Sequence, residues 1–80
     1  MMTTPDSADF RPVKRSVTLQ GHRTSVSLEE PFWAEFQRIA RCRGRSINAL
    51  AAELDAARRP PASLASAIRL FVLAEVKAGR

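Results

Sequence analysis

The sequence predicts a mainly α fold headed by a short β-ribbon. Three observations carry this. Residues 14–28 alternate apolar and polar side chains with period two, whereas three later stretches repeat apolar residues at helical spacing. Two stop-and-cap pairs, Gly44 with Ser46 and Pro60-Pro61 with Ser63, divide those stretches from one another. One domain, residues 13–80, accommodates all of this. A chain of 80 residues buries only about 60% of its unfolded surface on folding and is marginal alone.

Residues 1–12 are polar, contain Pro5 and Pro12, and read as a disordered arm. In the strand or hairpin region 14–28, Val17, Leu19, Thr24, Val26 and Leu28 fall on one face. Ser16, Thr18, Arg23, Ser25 and Ser27 fall on the other. Gln20-Gly21 permits a tight turn between the halves. The first half can pair within the chain or between chains, because the alternation is the same in either case.

A first helix is expected over residues 29–43. Ser27 and Glu30 have capping-box spacing, although Pro31 sits late for a Ser27 cap and allows a start one or two residues on. Phe32, Phe36 and Ile39 form its stripe, flanked by Trp33 and Ala40, and Gly44 ends it. Cys42 is expected at the edge of the core. A second helix, residues 46–58, is capped by Ser46 and buries Ile47, Leu50, Ala51 and Leu54; Asp55 precedes Arg59 at pairing distance. A third, residues 63–77, places Leu64, Ile68, Phe71, Val72 and Val76 on its core side, with Leu70 and Leu73 as extra apolar surface. One small chain has little left to cover so greasy a helix, so dimerisation is expected.

Composition narrows the function. The net charge is +5, and eight of the thirteen Lys/Arg lie in residues 11–45 against three acids; such a balance favours a polyanionic partner, most often nucleic acid. One His and one Cys cannot make a His/Cys zinc site within one chain, and no disulfide framework is possible. No metal or other cofactor is therefore expected. The apolar run at Ile68–Val76 is too short to span a bilayer, and the N-terminal residues lack signal-peptide character, so a cytoplasmic, nucleoid-associated protein is expected without membrane contact. Catalysis is poorly supported. His22 falls at a turn, the glycines are solitary, and no nucleophile, base and oxyanion-donor set can be assembled.

The ordered series Arg23-Thr24-Ser25-Val26-Ser27-Leu28, the stripe Phe32/Phe36/Ile39, and Gly44-Arg45-Ser46-Ile47-Asn48 resembles the ribbon-helix-helix DNA-binding superfamily of Arc and MetJ. The stretch Lys14 to Lys77 looks like a bacterial subfamily with an extra C-terminal helix. The resemblance implies an obligate, intertwined homodimer in which two chains pair strands into an antiparallel ribbon that enters the major groove of double-stranded DNA. Carried onto this sequence, Arg23, Ser25 and Ser27 would contact bases. Lys14, Arg15, Arg45, Ser46, Ile47 and Asn48 would contact phosphate, the last three at a helix N-terminus. Val26, Leu28, Phe32, Phe36, Ile39, Ile47, Leu50 and Leu54 would form the dimer core. The first half-strand is additional to the minimal pattern and could extend the ribbon to four strands or compete for the groove.

The implied function is sequence-specific DNA binding, with transcriptional repression as the biological role. Two other outcomes stay open: an antitoxin-like or adaptor dimer that docks a protein through the third helix, and nonspecific architectural binding. Glu29 and Glu30 follow the ribbon directly and would repel phosphate if they faced DNA.

Overall fold

A computed structural model describes residues 11–79 of the chain. The expected arm therefore lies, up to residue 10, outside the described residues. The elements run β1 (Val13–Leu19), β2 (His22–Leu28), α1 (Glu30–Cys42), α2 (Ile47–Ala57) and α3 (Leu64–Lys77).

β1 and β2 pair antiparallel within the chain, with Val13 opposite Leu28, Val17 opposite Thr24 and Leu19 opposite His22. The turn between them has positive φ at both central residues, Gln20 at 51° and Gly21 at 88°. That is the geometry of a two-residue turn matched to the right-handed twist of strands. The first half-strand thus finds its partner inside its own chain.

Three helices pack under one face of this hairpin. Val17, Val26 and Leu28 from the ribbon meet Phe36, Ile39 and Ala40 of α1, Leu50 and Ala51 of α2, and Ile68 and Val72 of α3 in one core. Phe36 sits at its centre, edge-on to Phe71 with ring centroids 6.2 Å apart, the arrangement that the aromatic quadrupole favours. The eight residues expected in a dimer core occur in this single-chain core. Val26, Leu28, Phe36, Ile39 and Leu50 are buried, while Phe32, Ile47 and Leu54 pack against them part-buried.

The helix ends follow local chemistry. Glu29, not Ser27, is the N-cap of α1, with Pro31 in the first turn, so the capping box is not used; Ser27 remains in β2 and is exposed. At the other end Arg45 N–H donates to the Ala40 carbonyl and Gly44 N–H to that of Arg41. With Gly44 at φ 65° this is a Schellman stop, for which glycine carries no Cβ penalty. Ser46 and Ser63 cap α2 and α3 by accepting from the amides of Ala49 and Ser66.

Four expectations are corrected. Cys42 is exposed at the end of α1 rather than packed at the core edge. Asp55 pairs with Arg58, one residue short of the expected Arg59. Val76 is 49% exposed, and Glu75 is buried in its stead. The buried line on α3 is Ile68, Val72 and Glu75, spaced i, i+4 and i+7. The Glu75 carboxylate tolerates this because Arg43 Nη2 donates to it at 2.6 Å. Finally, Arg15, expected at phosphate, belongs to the inner face of the ribbon, opposite Val26.

Candidate nucleic-acid interface

The face of the hairpin turned away from the helices is polar on both strands. The register sets Lys14 opposite Ser27, Ser16 opposite Ser25, and Thr18 opposite Arg23. Arg23, Ser25 and Ser27, expected at bases, are all exposed. Lys14 and Ser16 are exposed beside them, and Thr18 is half-buried. Lys14, Ser16, Arg23 and Ser25 border one shallow depression on this face. The alternation had already put Ser16 and Thr18 on the outward face. The same period places Lys14 there; what it could not supply was the cross-strand register, which fixes the partner each of them meets on β2.

The N-terminus of α2 lies against the edge of β1. Asn48 Oδ1 accepts the Thr18 amide at 3.0 Å, so an edge donor that β2 does not use is satisfied by a helix side chain. Ser46 Oγ takes the Ala49 amide. Ile47 and Asn48 keep first-turn amides of the kind a helix leaves free for anions. Ser46, Ile47 and Asn48 thus stand together beside the ribbon, with the partial positive charge of a helix start.

The other expected cations are placed differently. Arg15 pairs with Glu30, and its guanidinium stacks 5.4 Å from the centroid of the Trp33 ring. Its Nε is buried without a hydrogen-bond partner. It is a packing residue beneath the ribbon. Arg45 pairs with Glu53 on the surface of α2 and reaches toward the Ala49 carbonyl.

Charge is distributed by a simple rule. Among the described residues, each of the carboxylates Glu29, Glu30, Glu35, Glu53, Asp55 and Glu75 is ion-paired with an arginine. The cations without an ion-pair partner among the described residues are Arg11, Lys14, Arg23, Arg41, Arg59 and Lys77. Two of these, Lys14 and Arg23, stand on the outer face of the ribbon. The acids that follow the ribbon do not oppose them: Glu30 is held by Arg15, and Glu29 by Arg69 of α3 in two bonds of 2.9 and 3.0 Å. The Arg69 hydrogen bonds, helped by Glu29's own backbone amide, hold this carboxyl below the usual carboxylate range.

Among the described residues no group of three or more His, Cys, Asp or Glu side chains could hold a metal ion, and no helix is long and apolar enough to cross a membrane.

A family model described as a ribbon-helix-helix domain matches residues 12–76, from just before β1 almost to the end of α3. No curated protein and no solved structure matches the chain.

Proposed function

The chain belongs to the ribbon-helix-helix family of DNA-binding regulatory domains, and from that premise we propose that it binds specific DNA sequences through the outer face of its hairpin and acts as a transcriptional repressor. The observation that carries the reading is the cross-strand face of Lys14, Ser16, Thr18, Arg23, Ser25 and Ser27, set beside the α2 N-terminus. A two-stranded ribbon fits the major groove, and alternate side chains meet base edges.

Arg23 is assigned to guanine, whose O6 and N7 accept an arginine fork; Ser25 and Ser27 contribute hydroxyls that either donate or accept. Lys14, Ser46 and the amides of Ile47 and Asn48 are assigned to phosphate, where they fix register without reading sequence. Arg15 and Arg45 are withdrawn from that set because Glu30 and Trp33 occupy the first and Glu53 the second. The active species is assigned as a homodimer, so the recognised site is nearly palindromic.

The test is selection of bound fragments from the organism's own sheared genome at about 150 mM salt, where weak nonspecific binding is suppressed. One near-palindromic sequence is the expected product. Recovery of unrelated fragments with a steep salt dependence would replace the reading by architectural binding.

One observation favours a second reading, a protein partner docked on α3. Leu70, Leu73 and Val76 are 65%, 51% and 49% exposed, and Leu73 and Val76 border an apolar groove with Pro31, Phe32 and Val72. Contiguous exposed apolar residues of this kind mark interaction sites. Recovery of no DNA by folded protein would favour this reading.

A further inference from the structure

The ribbon ends in two consecutive carboxylates, and the way the first is held gives α3 a role in the DNA-binding reading. Glu29 is the N-cap of α1, where a carboxylate commonly accepts from first-turn amides; here the side chain makes no capping bond. It turns instead to Arg69, forty positions along the chain, which grips both oxygens, Nε to Oε1 at 2.9 Å and Nη2 to Oε2 at 3.0 Å. Nη2 also reaches the carbonyl of Ser27 at 3.3 Å. One guanidinium therefore spans the carboxylate and the last outward-facing residue of β2. Only the planar fork of arginine makes such a set of contacts.

Position makes the pairing matter. Glu29 is two residues beyond Ser27, about 7 Å along an extended chain. The major groove is about 12 Å wide between its phosphate walls. A bare carboxylate there would lie within a Debye length of the backbone phosphates, roughly 8–10 Å at working salt.

We propose that Arg69 is a positioning residue for DNA binding: from α3 it masks Glu29 and ties down Ser27, so that the phosphates flanking the ribbon meet no free carboxylate. Arg69 itself does not touch DNA. The inference rests on the DNA-binding reading above and gives the third helix a part in it.

The test uses the full chain and a short mixed-sequence DNA duplex, with affinity read by fluorescence anisotropy between about 50 and 200 mM salt. Arg69→Gln is expected to weaken binding about three- to tenfold at the lower salt, an effect that shrinks as salt screens it. Glu29→Gln, which frees a cation at the same place, is expected to bind as well as the wild type or tighter. The double variant returns to within about twofold of wild type, since the charge it lacks is matched. Arg38→Gln, which unbalances the Glu35–Arg38 pair on α1, serves as the control for net charge and is expected to change affinity less than about twofold.

A merely structural brace would behave otherwise: Arg69→Gln and Glu29→Gln would both weaken binding, with no recovery in the double variant, and the proposal would fall. An Arg38→Gln loss equal to that of Arg69→Gln would also overturn it. Should Arg69→Gln not fold, as judged by circular dichroism, Glu29→Gln decides alone: weakened binding sinks the proposal. An unchanged Arg69→Gln alongside a weakened Arg23→Ala overturns the Arg69 role and leaves the DNA reading standing. A wild type that binds neither this duplex nor any fragment of its own genome removes both.

Discussion

The backbone amide of Thr18 donates to Asn48 Oδ1 across 3.0 Å, and this bond fastens the outer edge of β1 to the first turn of α2. It thereby joins the face proposed to read bases to the helix start proposed to hold phosphate. Asn48→Ala is expected to cost about 1 kcal/mol, the net value of one such bond, and to speed hydrogen exchange at the Thr18 amide. Asn48→Asp keeps the acceptor and suits a helix N-terminus, so its urea midpoint stays near that of the wild type while DNA affinity drops. Equal stability losses in both variants would contradict this division.

Lys14 and Arg15 are adjacent in sequence and opposite in duty. Lys14→Ala leaves stability within about 0.5 kcal/mol, as surface substitutions do, and lowers the slope of log affinity against log salt by about 0.9. Arg15→Ala removes the Trp33 stacking and the Glu30 pair. It is expected to destabilise the fold by about 1–2 kcal/mol and to shift Trp33 fluorescence. Combined urea titration and salt-dependent binding separate the two.

Arg23→Ala is expected to lose about 1–3 kcal/mol of discrimination at one base position, read by competition among duplexes that differ only there. Uniform weakening across all duplexes would move Arg23 to the phosphate class.

Arg43 and Glu75 form an unequal pair. The Glu75 side chain is 6% exposed and that of Arg43 38%. Removing the arginine takes a charged hydrogen bond from a buried carboxylate and also removes the stacking on Phe71 at 5.1 Å; removing the glutamate leaves a cation that water can reach. Arg43→Met is therefore expected to cost about 2–3 kcal/mol and Glu75→Gln clearly less, given how costly it is to weaken the pairing of a buried ion. Thermal unfolding of both variants checks the order.

Glu29 links stability to acid. Its carboxyl is held below the ordinary value of 4.5 by Arg69, so its contribution is complete above that pH and is lost as pH falls through the lowered folded value. Removing Arg69 should flatten the acid limb of the stability curve. An acid limb unchanged in Arg69→Gln would show that Glu29 does not contribute there.

Much of the fold was legible because its signals are local. Period-two alternation separated Val17, Val26 and Leu28 from Ser16, Ser25 and Ser27, and Ser46 and Ser63 announced the helices they cap. The failures have a common cause, which is pairing between distant positions. The same alternation places Arg15 inward, two residues before Val17; what the local sequence does not show is that Trp33 and Glu30 of the next element are there to receive it. The burial of Glu75 in place of Val76 depends on Arg43, which lies 32 residues away. The pairing of Arg69 with Glu29 likewise spans forty positions. Cross-strand partners, too, follow only from the turn: with Gln20-Gly21 central, Lys14 must meet Ser27.

The closing of the hairpin inside one chain changes how the protein responds to dilution. A ribbon assembled from two chains would disappear whenever its protomers separated. Here both strands of the proposed reading face lie in one chain, so its pairing needs no second protomer. Joining two such faces raises avidity by making the second contact intramolecular, without creating the surface that reads. Occupancy of a two-half site should therefore decline in two stages as protein becomes scarce, with single faces still engaged after pairs have come apart.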